Sequence, residues 1–296
     1  MTAPDTAALA RVGVLIVNYN SGPWLARAIR SVRPGEANGA DDPKVIVVDN
    51  GSIDGSADKL DPRVRLDRAG RNLGFAGGIN RAAAQCEREL LLLLNPDCLI
   101  TREAVARLVA ELDAYPEAAL VSGRVVGEDG QEQRASRRRL PRPRRIVGEV
   151  LPMSSNGIDM SRTTPPISSI EIEAVSGACM LVRATALHSV SGLDEGYPLH
   201  FEDLDLFARL AEAGWTLRWV PEVEIVHAGG KSSASRPLGV EIDKHRGLWR
   251  YLSRHCRNQW PAWQRPLWGL ALLAHLLLRL AMKLPSALRQ RWKATR

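Results

Sequence analysis

Three apolar runs without polar alternation lie in the first hundred residues of the chain. They cover residues 12–17 (VGVLIV), residues 44–48 (KVIVV) and Leu90–Leu94 (LLLLL). Short continuous apolar runs are typical of strands that are buried on both faces of a largely parallel sheet. We therefore predict one strand from each run.

Helical patterns lie between and after these runs. Trp24–Val32 and residues 75–90 have helical spacing of their apolar positions, and Arg102–Ala114 follows Thr101, a residue type that favours the helix N-cap. The alternation of strands and helices predicts an α/β fold, with a doubly wound, mostly parallel sheet and helices on both faces. Ligands of such sheets bind at the carboxyl ends of the strands.

The second half of the chain has shorter elements. Residues 201–213 have an amphipathic pattern that predicts a helix, and residues 215–220 and 223–226 predict two short strands. Residues 137–145 contain six arginines and two prolines, a composition that predicts an exposed, mobile loop.

Composition limits the class of protein. Of the 296 residues, 45% are hydrophobic and 25% are charged, which excludes wholesale disorder. The four cysteines lie far apart without a CxxC pair, which argues against a zinc site or a disulfide framework and predicts reduced thiols. The first ten residues lack the charged and apolar regions of a secretory signal, so we expect a cytoplasmic protein.

The net charge of +7 is unevenly distributed. Lysine and arginine occur 12 times from Lys244 to Arg296 without an acidic residue, and residues 131–150 hold seven arginines against two glutamates. The remainder of the chain is therefore acidic. This distribution predicts an anionic partner at each of the two basic segments.

The last sixty residues combine positive charge with apolar and aromatic side chains. Residues 267–282 are almost entirely apolar, and His275, Arg279 and Lys283 share one helix face. The apolar run is shorter than the roughly 20 residues of a spanning helix. We therefore predict that residues 237–296 form a helical tail on the anionic inner face of the plasma membrane, with the three basic side chains in water and the leucines buried. The alternative is a helix packed on the body or at a dimer seam.

Polar side chains follow each of the three predicted strands. The carboxyl ends of parallel strands meet at one edge of a sheet, so these side chains converge. An aromatic ring among amides and carboxylates predicts a ligand site there. The residues are Tyr19 and Asn20 after the first strand, Asp49 and Asn50 after the second, and Asn95 and Asp97 after the third.

Five motifs follow one another along the chain: LIVNYNSGPWL, VIVVDNGSIDGS, NLGFAGGIN, LLLLNPD and FEDLDLFARL. In this order and spacing they resemble the family 2 glycosyltransferases, and most of all the bacterial rhamnosyltransferases, over about residues 12–227. The resemblance implies a GT-A fold with a catalytic domain at residues 1–236. It divides that domain into a nucleotide-binding half at residues 12–100 and an acceptor half at residues 101–236.

The resemblance also implies an activity. It predicts inverting transfer of a sugar from a nucleoside diphosphate donor, in a single displacement that uses a divalent metal, Mg²⁺ or Mn²⁺. The favoured donor is dTDP-L-rhamnose, and a UDP-sugar is the alternative. The implied acceptor is a cell-envelope glycan or a polyprenyl-linked glycan.

A nucleotide-sugar donor offers a flat base and a diphosphate to the predicted site. The ring of Tyr19 can stack on the base, and Asp49 can accept a hydrogen bond from the imide N–H of uracil or thymine. A purine without that donor arrangement is rejected, because it would leave the carboxylate unpaired. The alternative for Asp49 is an Asx-turn. Asn72 and Gly74 open a predicted helix, where the backbone can closely approach a phosphate or sugar.

The metal site is predicted from the NPD segment. Asp97 matches the last acid of the family's DXD element, and Asn95 replaces the first acid. A carboxylate beside a diphosphate suits Mg²⁺ or Mn²⁺. The resemblance adds His227 as the second protein ligand, and a buried, hydrogen-bonded histidine is the alternative.

The catalytic acids are predicted from the family's ED motif. Its second acid is the base, so the resemblance assigns the base to Asp203 and an orienting role to Glu202. An inverting displacement needs such a base to take the proton of the attacking hydroxyl. The helix alone would also explain both acids, because negative charge is favourable at a helix N-terminus.

Two other classes of protein are alternatives. A nucleotidyltransferase would also bind a nucleotide on a doubly wound sheet, but it is expected to carry a Gly-rich, basic triphosphate loop, and residues 12–21 have neither feature. A nucleic-acid-binding protein would explain the positive charge, but it would place aromatic side chains on an ordered basic face. Here most of the tryptophans lie in the leucine-rich tail, so we expect no nucleic acid partner.

Overall fold

The computed structural model describes residues 6–33, 42–150, 157–229, 237–259 and 261–294. The strands in these ranges are β1 (Val12–Asn18), β2 (Lys44–Asp49), β3 (Arg65–Arg68), β4 (Leu90–Leu94), β5 (Cys98–Leu99), β6 (Ala118–Val126), β7 (Arg137–Arg138), β8 (Ile170–Glu171), β9 (Ala174–Val175), β10 (Cys179–Arg183) and β11 (Thr216–His227). The helices are α1 (Thr6–Ala10), α2 (Trp24–Val32), α3 (Gly74–Ala83), α4 (Arg102–Ala114), α5 (Pro143–Val150), α6 (Ala184–Ser189), α7 (Glu202–Glu212), α8 (Pro237–His255) and α9 (Arg265–Ala294).

The main sheet has the strand order β3-β2-β1-β4-β10-β6-β11-β5, and β8 pairs with β11. β1 runs parallel to β2 and β4, β2 runs parallel to β3, and β6 runs parallel to β11. β10 is antiparallel to both β4 and β6, so six strands share one direction. The predicted mostly parallel α/β sheet is confirmed.

Helices cover both faces of this sheet. One apolar layer packs the sheet against α3, α6, α7 and α8, and the other packs it against α1, α2 and α4. Every residue of β1 and of β4 is buried, as their continuous apolar runs predicted. The four cysteines are buried and free, as expected.

The predicted helix over residues 75–90 is shorter in the structure. α3 ends at Ala83, and Leu90 already belongs to β4. Glu89 pairs with Arg11 at 2.9 Å, and the Leu90 N–H donates to the Arg11 carbonyl at 3.2 Å. These contacts hold the polar segment before Leu90 against the start of β1, so it leaves the helix.

The two strands predicted at residues 215–220 and 223–226 are one strand, β11. Its pairing with β6 shifts register between Val220 and Glu224. Pro221 lies at this shift and lacks the N–H that a regular ladder needs, which explains why the sequence pattern breaks there.

Residues 137–145 are not the exposed loop that their prolines predicted. The first two arginines form β7, which pairs with β9, and Pro143 begins α5. Arg137 is only 1% exposed; it pairs with Glu132 at 2.8 Å and lies over the ring of Trp219 at 5.0 Å. The proline at the first helical position costs nothing, because the N–H there has no intrahelical partner.

The first helix of the tail packs on the body. Tyr251 and Leu252 of α8 are buried in the core layer that holds α7. Arg250 and Arg254 both pair with Asp194, at 2.8 and 2.7 Å. α8 therefore completes the fold, and the division of the chain at residue 236 stays a prediction about function.

α9 packs along α8 through its polar face. His275 Nδ1 lies 2.9 Å from His245 Nε2, Lys283 pairs with Glu241 at 2.6 Å, and Arg279 pairs with the same glutamate at 3.3 Å. His275 is exposed, and the side chains of Arg279 and Lys283 are 40% and 32% exposed, so all three still reach water while they contact α8. Exposed apolar side chains cover much of the rest of α9, namely Leu267, Leu270, Leu273, Leu277, Leu278 and Met282, and Trp263 just before the helix is also exposed.

The apolar part of this helix is longer than expected. Ala262–Leu284 spans 23 residues and is long and apolar enough to cross a membrane, by length and composition alone. The expectation that the run is too short is corrected, because the helical segment continues beyond residues 267–282 at both ends.

Candidate active site

β1 and β2 end side by side, with Asn18 opposite Asp49 in the register. The buried Asn18 amide donates to Asp49 Oδ1 at 2.8 Å, and to Ser52 Oγ and Ser56 Oγ at 3.0 and 2.9 Å. Asp49 Oδ2 accepts the Ser52 N–H at 3.3 Å and lies 3.7 Å from Arg68. Asp49 thus accepts the N–H three residues on rather than two, so this contact is not the Asx-turn of the alternative, and Oδ2 has the longer and weaker contacts.

Tyr19 and Asn20 continue from the end of β1. Tyr19 is 42% exposed, so its ring is accessible at this edge of the sheet. Asn20 has a φ of 50°; its N–H donates to Ser52 Oγ at 3.0 Å, and its Oδ1 accepts the Ile53 N–H at 2.9 Å. Asn20 therefore ties the turn after β1 to the turn after β2.

Asn50 and Asn72 lie together at the start of α3. Asn50 Nδ2 donates to the Gly74 carbonyl at 3.0 Å and lies 3.4 Å from Asn72 Oδ1, which accepts the Gly74 N–H at 2.8 Å. Asn50 Oδ1 is buried and has no hydrogen-bond partner among the described residues. A buried acceptor without a donor is unfavourable, so this oxygen is suited to a donor from a ligand.

The NPD segment and the end of β11 form a cluster of possible ligands. Asp97 Oδ1 lies 3.4 Å from His227 Nε2, and possible ligand atoms of Asp97, Cys98 and His227 lie within 4.8 Å of one another. Burial raises the pKa of the Cys98 thiol, and Mg²⁺ and Mn²⁺ prefer oxygen ligands to sulfur. A carboxylate oxygen and an imidazole nitrogen that face each other at this distance fit one shared cation.

Asp203 lies in the first turn of α7. Arg138 of β7 donates to Asp203 Oδ2 and to the Val175 carbonyl. Asp203 Oδ1 accepts the Leu204 N–H at 2.8 Å. A Cβ on Gly177 would lie 2.9 Å from Asp203 Oδ2, so only glycine leaves room for the carboxylate there.

Residues 176–178 connect this acid to the NPD segment. The Ala178 carbonyl accepts the Asn95 N–H at 2.8 Å, and Gly177 contacts Asp203. The structure therefore brings the ED motif of α7 to the same edge of the sheet as the ends of β1, β2 and β4.

Glu202 has a different environment from Asp203. Burial and the neighbouring Asp203 charge raise the pKa of Glu202 to about 8. Its Oε2 is buried and has no hydrogen-bond partner in the described part of the chain. His200 and Phe201, just before it, both have a positive φ (63° and 70°), a conformation that non-glycine residues adopt only when the surroundings hold them.

Asp205 is a structural acid. It is fully buried, and it pairs with Arg209 at 2.7 Å and with His255 at 2.8 Å. Burial alone would raise the Asp205 pKa, but the hydrogen bonds from His255 and Arg209 hold it below its usual range. Asp205 and Glu212 in turn raise the pKa of His255 against the effect of its burial. These contacts join α7 to α8.

Three residues of this edge escaped the sequence analysis. Asn18 is the centre of the hydrogen bonds around Asp49, but only the two residues after it, Tyr19 and Asn20, were predicted as site residues. Arg138 was assigned to a mobile loop. Gln133, which contacts His227 at 2.9 Å, lies in a polar segment without any motif. A signal existed only for Asn18, because a buried strand that ends in an amide is unusual.

The chain is similar to known proteins in sequence and in fold. Residues 13–189 match the family model described as glycosyl transferase family 2. An N-acetylglucosaminyl-diphospho-decaprenol L-rhamnosyltransferase of Mycobacterium tuberculosis is 29% identical over 297 aligned positions, which cover 91% of this chain and 94% of the relative.

Two solved structures share the fold. The mannosyltransferase PcManGT from Pyrobaculum calidifontis, in complex with GDP-Man and Mn²⁺, has a TM-score of 0.55 and 20% identity, covering 99% of this chain and 77% of that one. GalNAc-T7 with UDP, GalNAc and Mn²⁺ has a TM-score of 0.55 and 17% identity, covering 73% and 43%.

The implied GT-A fold is thereby confirmed, and glycosyl transfer is favoured over the nucleotidyltransferase and nucleic-acid-binding alternatives. The family model matches more than half of the chain. This glycosyltransferase belongs to glycosyl transferase family 2.

Proposed function

We propose that the enzyme transfers L-rhamnose from dTDP-L-rhamnose to a polyprenyl-linked glycan of the cell envelope, with inversion at the anomeric carbon. The observation that carries this proposal is the similarity along 91% of the chain to an L-rhamnosyltransferase whose name contains a diphospho-decaprenol acceptor. A UDP-sugar is the alternative donor within the same family.

The nucleotide binds at the ends of β1 and β2 in this proposal. Tyr19 stacks on the base, and Asp49 Oδ2 accepts the imide N–H, since this oxygen has the weaker contacts within the protein. Asn50 Oδ1 takes a donor from the ligand, because it is buried without a partner in the described residues. Asn20, Asn72, Gly74 and Asn95 shape the backbone around the donor.

Asp203 is the base of the proposed displacement. Arg138 donates to one oxygen of Asp203 and so orients the carboxylate. Glu202, whose pKa is raised to about 8, stays protonated at neutral pH and places no second negative charge beside the base. Asp203 takes the proton of the acceptor hydroxyl as the hydroxyl oxygen attacks the anomeric carbon.

Asp97 and His227 would hold a divalent metal, Mg²⁺ or Mn²⁺. When bound, such a metal neutralises charge on the departing diphosphate. Asn95, in place of an acid, leaves the protein with one negative charge fewer here, so the remaining ligands must be substrate oxygens and water.

A donor panel tests the proposed substrate. We expect release of dTDP from dTDP-L-rhamnose in the presence of Mn²⁺ and a polyprenyl diphosphate-linked N-acetylglucosamine acceptor. The same preparation should be stabilised thermally by dTDP and UDP, by about 2.7 kcal/mol at a ligand concentration of ~100 Kd. Equal stabilisation by ADP, whose base has no imide N–H, would contradict the role of Asp49, and turnover of a different nucleotide sugar only would refute the choice of donor.

The tail supports a location on a membrane surface. α9 packs lengthwise on α8, from the Trp249 ring beside Gly269 to the Glu241–Lys283 pair, and α8 is fixed to the body. A spanning α9 would have to leave α8, so we propose that it lies in the plane of an anionic cytoplasmic bilayer with its exposed apolar face in the lipid.

Charge substitutions test this orientation. Leu270→Glu and Leu277→Glu lie on the exposed face and should each weaken flotation with anionic liposomes, while donor hydrolysis persists. Ile167→Glu, at a fully exposed apolar residue of the body, is the matched control and should leave flotation unchanged. Unchanged flotation of both leucine variants would exclude the proposed face.

A further inference from the structure

Gln133 holds His227 at two points. Gln133 Nε2 donates to the His227 carbonyl at 2.7 Å, and Gln133 Oε1 lies 2.9 Å from His227 Nδ1. A carbonyl can only accept a hydrogen bond, so it must face the NH₂ end of the amide. The other end of the amide is then an oxygen, which also only accepts, so His227 Nδ1 must carry the ring hydrogen.

This assignment determines what His227 offers to Asp97. With the hydrogen on Nδ1, the Nε2 atom has a free electron pair, and Nε2 is the atom that lies 3.4 Å from Asp97 Oδ1. Histidines that bind metals use one ring nitrogen for the metal and donate from the other to an oxygen. The amide of Gln133 provides that oxygen.

The backbone of Gln133 is fixed in turn. Its N–H donates to the Val125 carbonyl at 2.9 Å, and its carbonyl accepts the Ser136 N–H at 3.1 Å. Ser136 Oγ accepts the Val125 N–H at 3.0 Å in a buried position. Hydrogen bonds to Val125 thus hold the Gln133 backbone beside the end of β6, a strand of the central sheet, and from there the side-chain amide reaches His227.

We propose that Gln133 is the positioning residue of the cation site, and that it selects the tautomer of His227 in which Nε2 faces Asp97. This inference rests on the proposed Asp97–His227 site. The competing role is purely structural: Gln133 would tie the segment after β6 to the end of β11, with no influence on the cation.

Mn²⁺ affinity of the full-length chain, measured by titration in the presence of UDP, separates the two roles. Gln133→Met keeps the length of the side chain but removes both hydrogen bonds, and it should weaken Mn²⁺ binding 10–100-fold. Gln133→Glu keeps an acceptor opposite Nδ1 and should retain most of the affinity. Gln131→Met, at an exposed glutamine of the same segment, is the matched control and should bind like the unsubstituted chain.

The tautomer of the His227 ring can be measured without any metal, which gives a second test. In ¹⁵N-histidine-labelled protein, the His227 signals, assigned by their loss in His227→Asn, should show hydrogen on Nδ1. In Gln133→Met that preference should disappear. Because this measurement does not depend on metal affinity, it tests the inference even if the variant is less stable. A hydrogen on Nε2 in the unsubstituted chain would overturn the inference.

The Mn²⁺ titrations also distinguish which proposal fails. If Asp97→Asn and His227→Asn lose Mn²⁺ and Gln133→Met does not, the role of Gln133 is wrong and the cation site stands. If Asp97→Asn and His227→Asn bind Mn²⁺ normally, both the cation site and the inference fall.

Discussion

At the scale of single residues, the two adjacent acids at the start of α7 have different surroundings. Arg138 pairs with Asp203, whereas Glu202 Oε2 is buried without a partner in the described residues. One acid therefore has a cationic hydrogen-bond donor, whereas burial and its neighbour raise the pKa of the other. Sequence adjacency alone does not distinguish them.

Glu202 makes the stability of the fold depend on pH. The unfolded chain loses the Glu202 proton near pH 4.5, whereas the folded chain keeps it to about pH 8. The folded state binds more protons between these values, so this residue lowers the free energy of unfolding as pH rises through that range. Glu202→Gln should therefore be more stable than the unsubstituted enzyme at pH 8, with a smaller difference at pH 5, in urea unfolding.

The difference in unfolding free energy between Glu202→Gln and the unsubstituted enzyme isolates the effect of Glu202. Other titrating groups, such as His255, are common to both proteins. Glu128→Gln, at an exposed position, should show no such trend. A stability difference that is the same at pH 5 and pH 8 would show that Glu202 is ionised in the folded enzyme.

Asp203→Asn should lower transfer by about 10²–10⁴-fold, because the variant keeps the shape of the side chain but cannot take a proton. Affinity for dTDP should be unchanged, since the contacts of Asp203 lie on α7 and β7. Turnover and nucleotide titration of the same preparation measure both. Transfer near the level of the unsubstituted enzyme would move the base to another residue.

The sequence predicted the acids of this site but not their partners. Asp49, Asp97 and Asp203 stand directly after strands or at a helix start, where local pattern is informative. Arg138 and Gln133 act across the fold, 65 and 94 residues from the side chains they contact. A local sequence pattern cannot predict a contact between residues that are so far apart along the chain.

At the scale of elements, α8 supports the turn that precedes the ED motif. A Cβ on Gly247 of α8 would lie 2.9 Å from Phe201 Cδ2 and 3.3 Å from the His200 carbonyl. The close approach of the helix thus holds two residues with positive φ before Glu202.

Gly247→Ala should destabilise the enzyme by about 1–3 kcal/mol, because the added methyl overpacks this contact. It should also lower turnover by displacing the turn before Glu202. Gly269→Ala in α9 is a matched control: its Cβ would meet the Trp249 ring at an ordinary 3.6 Å, and the loss of a helical glycine favours the fold by about 0.5–1 kcal/mol. Thermal unfolding that ranks the two variants in the opposite order would refute the packing argument.

At the scale of the whole molecule, the tail consists of two helices with different roles. α8 contributes Tyr251, Leu252 and His255 to the body, whereas α9 contacts mainly α8 and exposes its apolar face. The basic composition of residues 237–296 predicted one membrane-associating unit. Composition could not predict that α8 and α9 have different roles, because tertiary packing places α8 in the core.

Two truncations should separate these roles. A chain that ends at Pro261 keeps α8 and should fold and bind dTDP, but it should not float with anionic liposomes. A chain that lacks residues 237–296 loses His255, one of the two partners of Asp205 described above, and should unfold at a much lower temperature. Liposome flotation and thermal unfolding measure the two effects, and retained flotation of the first truncation would assign membrane binding elsewhere.

The separation of α7 and α8 along the chain has a consequence for synthesis. His255 follows Asp205 by 50 residues, so at about 5–20 residues per second a ribosome needs roughly 3–10 s to translate that interval. Until then the nascent α/β body has its strands but lacks the helix that covers α7 and places His255 beside Asp205. The core layer that holds α7 is therefore completed only after α8 has been translated.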